Sequence, residues 1–267
     1  MLRKVLSNEP YSIAESYAIH SQGSHVYEDA STKYEKTDVK TLVEKQEHLS
    51  DGEKKALFEI LKRHPVLFAG LNDRQLGIFP NREYHIDLML GAKAFHIKQP
   101  YSVPLHQQGA VKTELLRQLQ LDIIERCYST EWGMPMFIIP KPDGSCRLIA
   151  DFRELNKATK QLHYPLPKIQ DIFHRRRRFR FVTLIDVSMQ FHTFLLDAES
   201  QNKCVIVTPF GKFKYKRLPM GFLNSPSWAQ AAMDELFADL PDVEVYIDDV
   251  GIFSTESTVI SEQLNLF

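Results

Sequence analysis

The spacing of apolar side chains divides the chain into helical and extended segments. Ser50-Asp-Gly-Glu53 has the form of a capping box, and apolar residues then recur every three or four positions, which predicts a short amphipathic helix. The same period predicts a helix over residues 107–128. The clearest helix is predicted over residues 226–240, where Ser225 and Pro226 precede apolar residues at i, i+3, i+4, i+7, i+8 and i+11.

Short apolar runs bounded by turn residues predict three β-hairpins. The paired runs are Met136–Ile139 with Cys146–Ala150, Cys204–Val207 with Lys212–Lys216, and Glu244–Ile247 with Val250–Phe253. A further run, Phe181–Ile185, predicts a buried strand, and it ends in the charged residue Asp186. A carboxylate at the end of an apolar strand needs a physical reason, because burying an unpaired charge is costly.

Composition indicates a folded protein. Of the 267 residues, 43% are apolar and 25% are charged, which excludes the collagen-like, mucin-like and wholly disordered classes. No run of apolar residues is long enough for a membrane span, and no secretory signal is visible, so we expect an intracellular protein of the cytoplasm or nucleus without a membrane partner. The three cysteines lie too far apart for a disulfide framework or a zinc site.

The net charge of −1 conceals a separation of charge along the chain. Residues 141–217 hold 16 Lys and Arg against 7 Asp and Glu, a balance of +9, and the remainder holds 17 against 27, a balance of −10. A basic block in a folded region attracts nucleic acid or phosphorylated ligands, although a solvated basic face without a partner is the alternative. The residues predicted to bind nucleic acid are Arg175, Arg176, Arg177, Arg178, Lys212, Lys214, Lys216 and Arg217.

Three carboxylates beside these cations are typical of a phosphoryl-transfer site. Asp186 ends a strand, and Asp248 and Asp249 lie at the predicted tip of the third hairpin. Mg²⁺ prefers carboxylate and water ligands and also binds substrate phosphates, so such a set can hold it. The alternative for Asp248 and Asp249 is that they are ordinary turn residues.

Several short motifs follow one another along the chain. They are Tyr84-His-Ile-Asp87, Lys141-Pro-Asp-Gly-Ser-Cys-Arg147, Ala150-Asp-Phe-Arg-Glu-Leu-Asn156, Leu184-Ile-Asp-Val-Ser188, Leu218-Pro-Met-Gly-Phe-Leu-Asn-Ser-Pro226 and Tyr246-Ile-Asp-Asp249. In order and spacing these motifs resemble the reverse transcriptase of gypsy-type LTR retrotransposons. The resemblance covers about two-thirds of the chain, from near Tyr84 to about Ser254.

The resemblance implies an α+β fold, the fingers and palm of a right-hand polymerase, with an antiparallel palm sheet backed by helices and the thumb absent. We expect residues 81–254 to form the reverse transcriptase fingers and palm. Residues 1–40 are expected to be a linker or disordered tail, residues 41–80 a short helical pre-domain segment, and residues 255–267 a truncated C-terminal tail.

The resemblance also implies roles for individual residues. The three aspartates, Asp186, Asp248 and Asp249, would be catalytic and hold two Mg²⁺ ions, with Mn²⁺ as a substitute. Lys141 and Arg147 would bind the triphosphate of the incoming nucleotide, although a solvated turn lysine is the alternative for Lys141. Phe191 matches the steric gate that excludes a ribose 2′-OH, with a core aromatic as its alternative. Met220 and Gly221 match the loop that packs against the nucleotide and template base.

The implied activity is RNA-directed DNA polymerisation, the addition of dNTPs to a primer 3′-OH on an RNA or DNA template. The remaining domains of a retroelement polyprotein are further expected partners. The chain ends 18 residues after Asp249, so we also weigh a catalytically inert, truncated relic that at most binds nucleic acid. Another two-metal polymerase, such as an RNA-dependent RNA polymerase, is a second alternative, against which Phe191 argues.

Overall fold

The computed structural model describes residues 2–6, 38–47, 49–65, 76–80, 82–179 and 181–255. The chain divides into two compact units, each described separately below. The carboxylate unit, so called because it contains all three predicted catalytic aspartates, comprises Met1–Arg74, Pro165–Ser188 and Gln230–Phe267. The hairpin unit comprises Gln75–Tyr164 and Met189–Ala229. Within the residues described, every helix is too short or too polar to cross a bilayer.

Helices and strands are mixed along the chain, as an α+β fold requires. The helices are α1 Val39–Glu44, α2 Asp51–Leu61, α3 Gln108–Gln120, α4 Arg153–Ala158, α5 Ile169–Arg175, α6 Ala198–Lys203 and α7 Ser225–Leu236, with short 3₁₀ turns at Leu105–Gln107 and Gln190–Thr193. The strands are β1 Leu2–Leu6, β2 Glu83–Tyr84, β3 Ile124–Arg126, β4 Met134–Pro140, β5 Cys146–Ala150, β6 Phe181–Asp186, β7 Leu195–Leu196, β8 Val205–Thr208, β9 Gly211–Tyr215, β10 Val243–Tyr246 and β11 Asp249–Ser254.

An antiparallel sheet in the order β1-β6-β11-β10 forms the centre of the carboxylate unit. Helices α1 and α2 pack against it, because Leu57, Ile60 and Leu61 share one buried cluster with Phe181 and Ile252 of the sheet. The predicted capping box begins α2, where the backbone N–H of Ser50 donates to the Glu53 carboxylate at 2.9 Å. An apolar helix face and an apolar sheet face thus bury each other.

The structure divides the chain differently from the predicted domains. Residues 41–80 were expected to precede the main domain, but α1 and α2 contribute to the same core as β6 and β11. Residues 1–40 were expected to be a linker, but Leu2–Leu6 forms β1 and pairs with β6. A paired neighbour satisfies the backbone groups that an edge strand would otherwise expose. Residues 7–37 and 256–267 lie outside the described part of the chain.

Two sheets organise the hairpin unit. The larger has the strand order β3-β9-β8-β4-β5, and β2 pairs with β7 in the smaller. The predicted hairpins β4–β5 and β8–β9 are both confirmed as antiparallel pairs. The parallel pair β4–β8 joins them into one sheet. Phe152, Phe194 and Phe213 are among the fully buried side chains of the hairpin unit, so aromatic packing supplies much of its core.

One predicted helix is shorter than its apolar period suggested. The helix predicted over residues 107–128 ends at Gln120, and Ile124–Arg126 forms β3 instead. Asp122 takes a left-handed backbone conformation with φ 55°, and the N–H of Ile123 donates to the Gln118 carbonyl at 2.9 Å. This is a Schellman-type helix end with Asp in the position that glycine usually occupies. The buried residues Ile123 and Ile124 therefore continue the apolar pattern in an extended chain.

Arg217 is a structural residue, which corrects its prediction as a nucleic-acid contact. Its side chain is 4% exposed, whereas Lys212, Lys214 and Lys216 on the same segment are half-buried. The guanidinium donates to three backbone carbonyls at 2.9–3.0 Å, those of Gly77, Asp122 and His192. A buried cation is tolerated where its donors are satisfied in this way. Arg217 therefore joins three segments of the hairpin unit.

We expect Arg217→Met to lower the free energy of unfolding by about 3 kcal/mol, because three buried carbonyls lose their donor. Lys216→Met is the matched control, since it removes a cation from the neighbouring position and breaks only the Lys216–Asp122 ion pair at 2.6 Å. That pair is partly exposed and should be worth less than about 1 kcal/mol. Urea unfolding measures both values, and equal losses would contradict the structural role of Arg217.

Candidate active site

The pairing of β6 with β11 places two carboxylates side by side. Asp249, the first residue of β11, lies directly opposite Asp186, the last residue of β6. Directly opposed residues on antiparallel strands have Cβ atoms about 5 Å apart and share a face of the sheet. Asp186 is half-buried and Asp249 is exposed. The sheet therefore presents both carboxyl groups at one end of the strand pair.

Asp248 belongs to the turn that connects β10 to β11. Tyr246 pairs with Asp249, so the loop contains only Ile247 and Asp248. The predicted tip, Asp248-Asp249, is thus displaced by one residue, because Asp249 is already part of the strand. The carbonyl of Asp248 accepts from the Val187 N–H at 2.9 Å, which ties the turn to the residue after Asp186.

The two-residue turn requires an unusual backbone conformation. Ile247 has φ 55°, a left-handed conformation that a β-branched side chain rarely adopts and that costs about 1–3 kcal/mol. Gln230 of α7, which is completely buried, contacts both sides of the turn. Its Oε1 accepts from the Ile247 N–H at 2.8 Å, and its Nε2 donates to the Val245 carbonyl at 3.1 Å. Gln230 therefore holds the turn in this conformation.

The donor set at this end of the sheet fits a hard divalent cation. Like charges directly opposite each other destabilise a sheet, and a cation held between Asp186 and Asp249 removes that cost. Within the described residues, no three His, Cys, Asp or Glu side chains are grouped closely enough to hold a metal ion. The structure thus places two of the three predicted carboxylates in register and leaves the third in the adjoining turn.

Lys141 and Arg147 lie on the β4–β5 hairpin of the hairpin unit. Arg147 pairs with Ile139 and is exposed, while Lys141 lies in the turn and is half-buried. The Lys141 N–H donates to the Ser145 carbonyl at 2.9 Å, and Gly144 closes the turn with φ 80°. Hydrogen bonds from Ser145 to the carboxylate lower the pKa of Asp143 and stabilise the same turn. Both predicted triphosphate ligands are thus held on one short hairpin.

Phe191, Met220 and Gly221 are also held within the hairpin unit. Phe191 is half-buried in the 3₁₀ turn Gln190–Thr193, and its neighbour His192 approaches the Leu218 carbonyl with Nδ1 at 3.2 Å. Burial lowers the pKa of His192 to about 4, so the ring is neutral at pH 7 and Nδ1–H can donate to that carbonyl. This contact connects the Phe191 turn to the start of the Leu218–Pro226 motif.

Asn156 fixes the exposed loop that carries Met220 and Gly221, much as Gln230 fixes the turn before Asp249. Its Nδ2 donates to the Gly221 carbonyl at 3.0 Å, and its Oδ1 accepts from the Leu223 N–H at 2.9 Å. Gly221 has φ 83°, which a residue with a side chain would adopt only under strain. Gly221 therefore permits the turn, and Asn156 locks it.

Sequence reasoning did not identify Gln230 and Asn156 as positioning residues. Gln230 is a polar residue among small apolar residues of a helix, which is a detectable signal because a buried amide needs partners. Asn156 ends the Ala150–Asn156 motif, so its position was visible but its role was not. In both cases the bonded partners are distant in sequence, and only the fold shows them.

Several residues of the predicted basic surface have acidic partners. Lys214 pairs with Glu125 at 2.8 Å, and Lys216 pairs with Asp122 at 2.6 Å. In the carboxylate unit, the Glu244 carboxylate accepts from Arg175 at 2.6 Å and from Arg176 at 2.9 Å. Burial alone would raise the pKa of the Glu244 carboxyl, but the two arginines hold that pKa below its ordinary value. Arg175 and Arg176 are therefore both held by Glu244, and their contact with nucleic acid stays a prediction.

Part of the chain is similar in sequence to known proteins. Residues 139–267 match the family model described as reverse transcriptase (RNA-dependent DNA polymerase). The chain is 32% identical over 170 residues to the retrovirus-related Pol polyprotein from transposon 297 of Drosophila melanogaster, covering 61% of this chain and 16% of that protein. It is 33% identical over 129 residues to a putative enzymatic polyprotein of Cassava vein mosaic virus, covering 46% of this chain and 20% of that protein. The chain thus spans a fifth or less of the length of these relatives.

Solved structures share the fold. The foamy viral protease-reverse transcriptase in complex with RNA/DNA hybrid matches with a TM-score of 0.74 at 21% identity, covering 86% of this chain and 31% of that chain. The Prototype Foamy Virus protease-reverse transcriptase, as a CSH mutant, matches with a TM-score of 0.75 at 21% identity, covering 85% and 30%. The expected α+β, reverse-transcriptase-like fold is confirmed.

We expect Gln230→Ala to lower the free energy of unfolding by about 2–3 kcal/mol, because two backbone groups at a strained turn, one of them buried, lose their side-chain partner. Gln46→Ala is the matched control in the same unit, since its amide donates only to the Leu42 carbonyl of the preceding turn. That variant should lose less than about 1 kcal/mol. Denaturant unfolding compares the two variants. If Gln230→Ala lost no more unfolding free energy than Gln46→Ala, the proposed role of Gln230 in holding the turn would be wrong.

Proposed function

We propose that this chain, which contains a reverse transcriptase domain, adds deoxynucleotides to a primer 3′-OH under the direction of an RNA or DNA template and releases pyrophosphate. We assign the chain to the gypsy-type LTR retrotransposons because its motifs resemble theirs. The observation that carries the proposal is the register pair Asp186–Asp249 beside a turn that holds Asp248. A phosphoryl transfer assisted by two metal ions uses closely spaced carboxylates on a rigid support, and this strand pair is such a support.

Asp186, Asp248 and Asp249 would hold two Mg²⁺ ions, or Mn²⁺ in their place. When bound, these ions would supply charge stabilisation at the attacking and leaving oxygens. The protein's own contribution is positional, since the β6–β11 register sets the spacing of two carboxylates and Gln230 holds the turn that carries the third. The polyprotein names of the relatives support further retroelement domains as partners.

The hairpin unit would bind the incoming nucleotide. Arg147 can engage phosphate oxygens with two parallel N–H donors, while Lys141 acts as a mobile point charge. Phe191 would lie beneath the sugar, where its ring leaves no room for a 2′-OH. Met220 and Gly221, on the loop locked by Asn156, would give an apolar contact to the base pair being formed.

We expect Asp186→Asn to reduce primer extension by about 10³-fold, roughly 4 kcal/mol of transition-state stabilisation, because it removes a charged metal ligand and keeps the side-chain shape. The assay is extension of a DNA primer on an RNA template with Mg²⁺. Circular dichroism checks that the variant folds.

Asp239→Asn is the control for this change, because it removes an exposed carboxylate just after α7 in the same unit. Its extension rate should match that of the unmodified chain. Undiminished extension by Asp186→Asn would refute the assignment of the carboxylates, and no extension by the unmodified chain would refute the activity itself.

We expect Phe191→Ala to narrow the preference for dNTPs over rNTPs by about tenfold or more, because it opens space beneath the ribose. The measurement is the ratio of kcat/KM for dTTP and UTP on one primer-template. Phe210→Ala, which removes another half-buried ring of the hairpin unit, should leave the ratio unchanged. The same ratio in all three proteins would assign Phe191 to core packing.

A further inference from the structure

The carboxylate unit contains a basic cleft, which lies at the opposite end of its sheet from the aspartates. Asp249 pairs with Asp186 at one end of the β6–β11 pair, and Ser254 pairs with Phe181 at the other. Five residue steps of an extended strand separate Phe181 from Asp186, a distance of about 17 Å. Whatever binds at this cleft is therefore well removed from the reacting atoms.

Consecutive basic residues line the cleft, which has a volume of about 500 Å³. Its lining comes from residues 174–179 at the end of α5 and just after it, from Asp242, which precedes β10, and from residues 253–255 at the end of β11.

Two of the four arginines form ion pairs with the acidic residues beside the cleft. Arg175 and Arg176 both bind the Glu244 carboxylate, and Arg176 also pairs with Asp242 at 3.1 Å and donates to the Pro241 carbonyl. The Phe253 N–H donates to the Asp242 carbonyl at 2.9 Å, which fixes the acidic side of the cleft to β11. These carboxylates balance the charge of the two structural arginines.

Arg177 and Arg178 carry the remaining positive charge of the cleft. Both side chains are exposed, and the Nε of Arg177 donates to the His174 carbonyl at 3.1 Å. A guanidinium has five N–H donors, so one such bond does not exhaust its capacity. Four arginines against Asp242 and Glu244 leave a balance of about +2 among these six side chains. Guanidinium groups of this kind bind phosphate oxygens with high geometric preference.

We propose that Arg177 and Arg178 form a second nucleic-acid contact, which binds backbone phosphates of a strand that lies outside the catalytic end of the carboxylate unit. The inference rests on the proposed function for its choice of ligand, since a protein that copies nucleic acid meets strands longer than its reaction site. The bonds of Arg175 and Arg176 to Glu244 anchor the backbone that leads into Arg177 and Arg178, which favours a built phosphate site over a mobile charged loop.

Binding of a labelled 20-nucleotide oligo(U) to the full chain tests this contact, by fluorescence anisotropy without nucleotide or metal. Two phosphate contacts to a single strand contribute about 1.4 to the slope of log K against log salt. Arg177→Ala with Arg178→Ala should therefore reduce that slope by about 1.4 and weaken binding by about 20-fold at 0.1 M salt. Arg177→Lys with Arg178→Lys keeps the charge and should restore most of the affinity.

Lys45→Ala with Lys55→Ala is the matched control, because it removes two exposed cations of the same unit, one just after α1 and one in α2. Its slope should stay unchanged. Equal effects in the two double variants would overturn the site in favour of diffuse charge. An unchanged oligo(U) affinity in the arginine variant, with loss of tripolyphosphate binding, would overturn it in favour of a small-anion pocket.

The binding assay and the primer-extension assay fail independently. Binding is measured without metal or nucleotide, so the slope change can appear even if Asp186→Asn extends primers as well as the unmodified chain. In that case the proposed reaction fails and the contact stands. A normal loss of extension in Asp186→Asn, together with no slope change in the arginine variant, would overturn the contact alone.

Discussion

The antiparallel register between β6 and β11 determines where the carboxylate unit places its charged side chains. Because side chains alternate across a sheet, a shift of one residue would move Asp249 to the opposite face from Asp186. Burial opposes such a shift, since Thr183 on β6 and Ile252 on β11 are both completely inaccessible to solvent. The apolar core thus fixes an electrostatic arrangement at the strand ends, where the core itself does not extend.

The same core explains why the turn beside the carboxylates tolerates strain. Met233 of α7 packs with Val245 and Val250, so the helix that carries Gln230 is anchored to both strands of the hairpin. The amide of Gln230 then meets the turn in one orientation, and its two hydrogen bonds offset the cost of the left-handed Ile247. Apolar packing thus positions the helix, and the amide of Gln230 fixes the conformation of the turn.

Local patterns predicted the parts of this fold that local chemistry decides. The Asp-Gly turn of β4–β5, the capping box of α2 and the strand that ends at Asp186 all follow from neighbouring residues. The end of α3 could not be predicted this way, because Asp122 adopts a conformation that usually signals glycine. The roles of the basic residues were equally hidden, since a charge count cannot distinguish Arg217, which satisfies three carbonyls, from the exposed Arg178. Partners distant in sequence decide such cases.

The order of segments along the chain also has a consequence for how the protein folds. The carboxylate unit draws its sheet from three separate stretches, with Leu2 paired to Ile185 and Asp249 paired to Asp186. Its long loops must close before these pairings contribute any stability, and such non-local contacts slow folding. The hairpins β4–β5 and β8–β9, in contrast, join neighbouring residues and can form while later segments are still being synthesised. The unit that holds the carboxylates therefore completes its sheet last, only after β11 has left the ribosome.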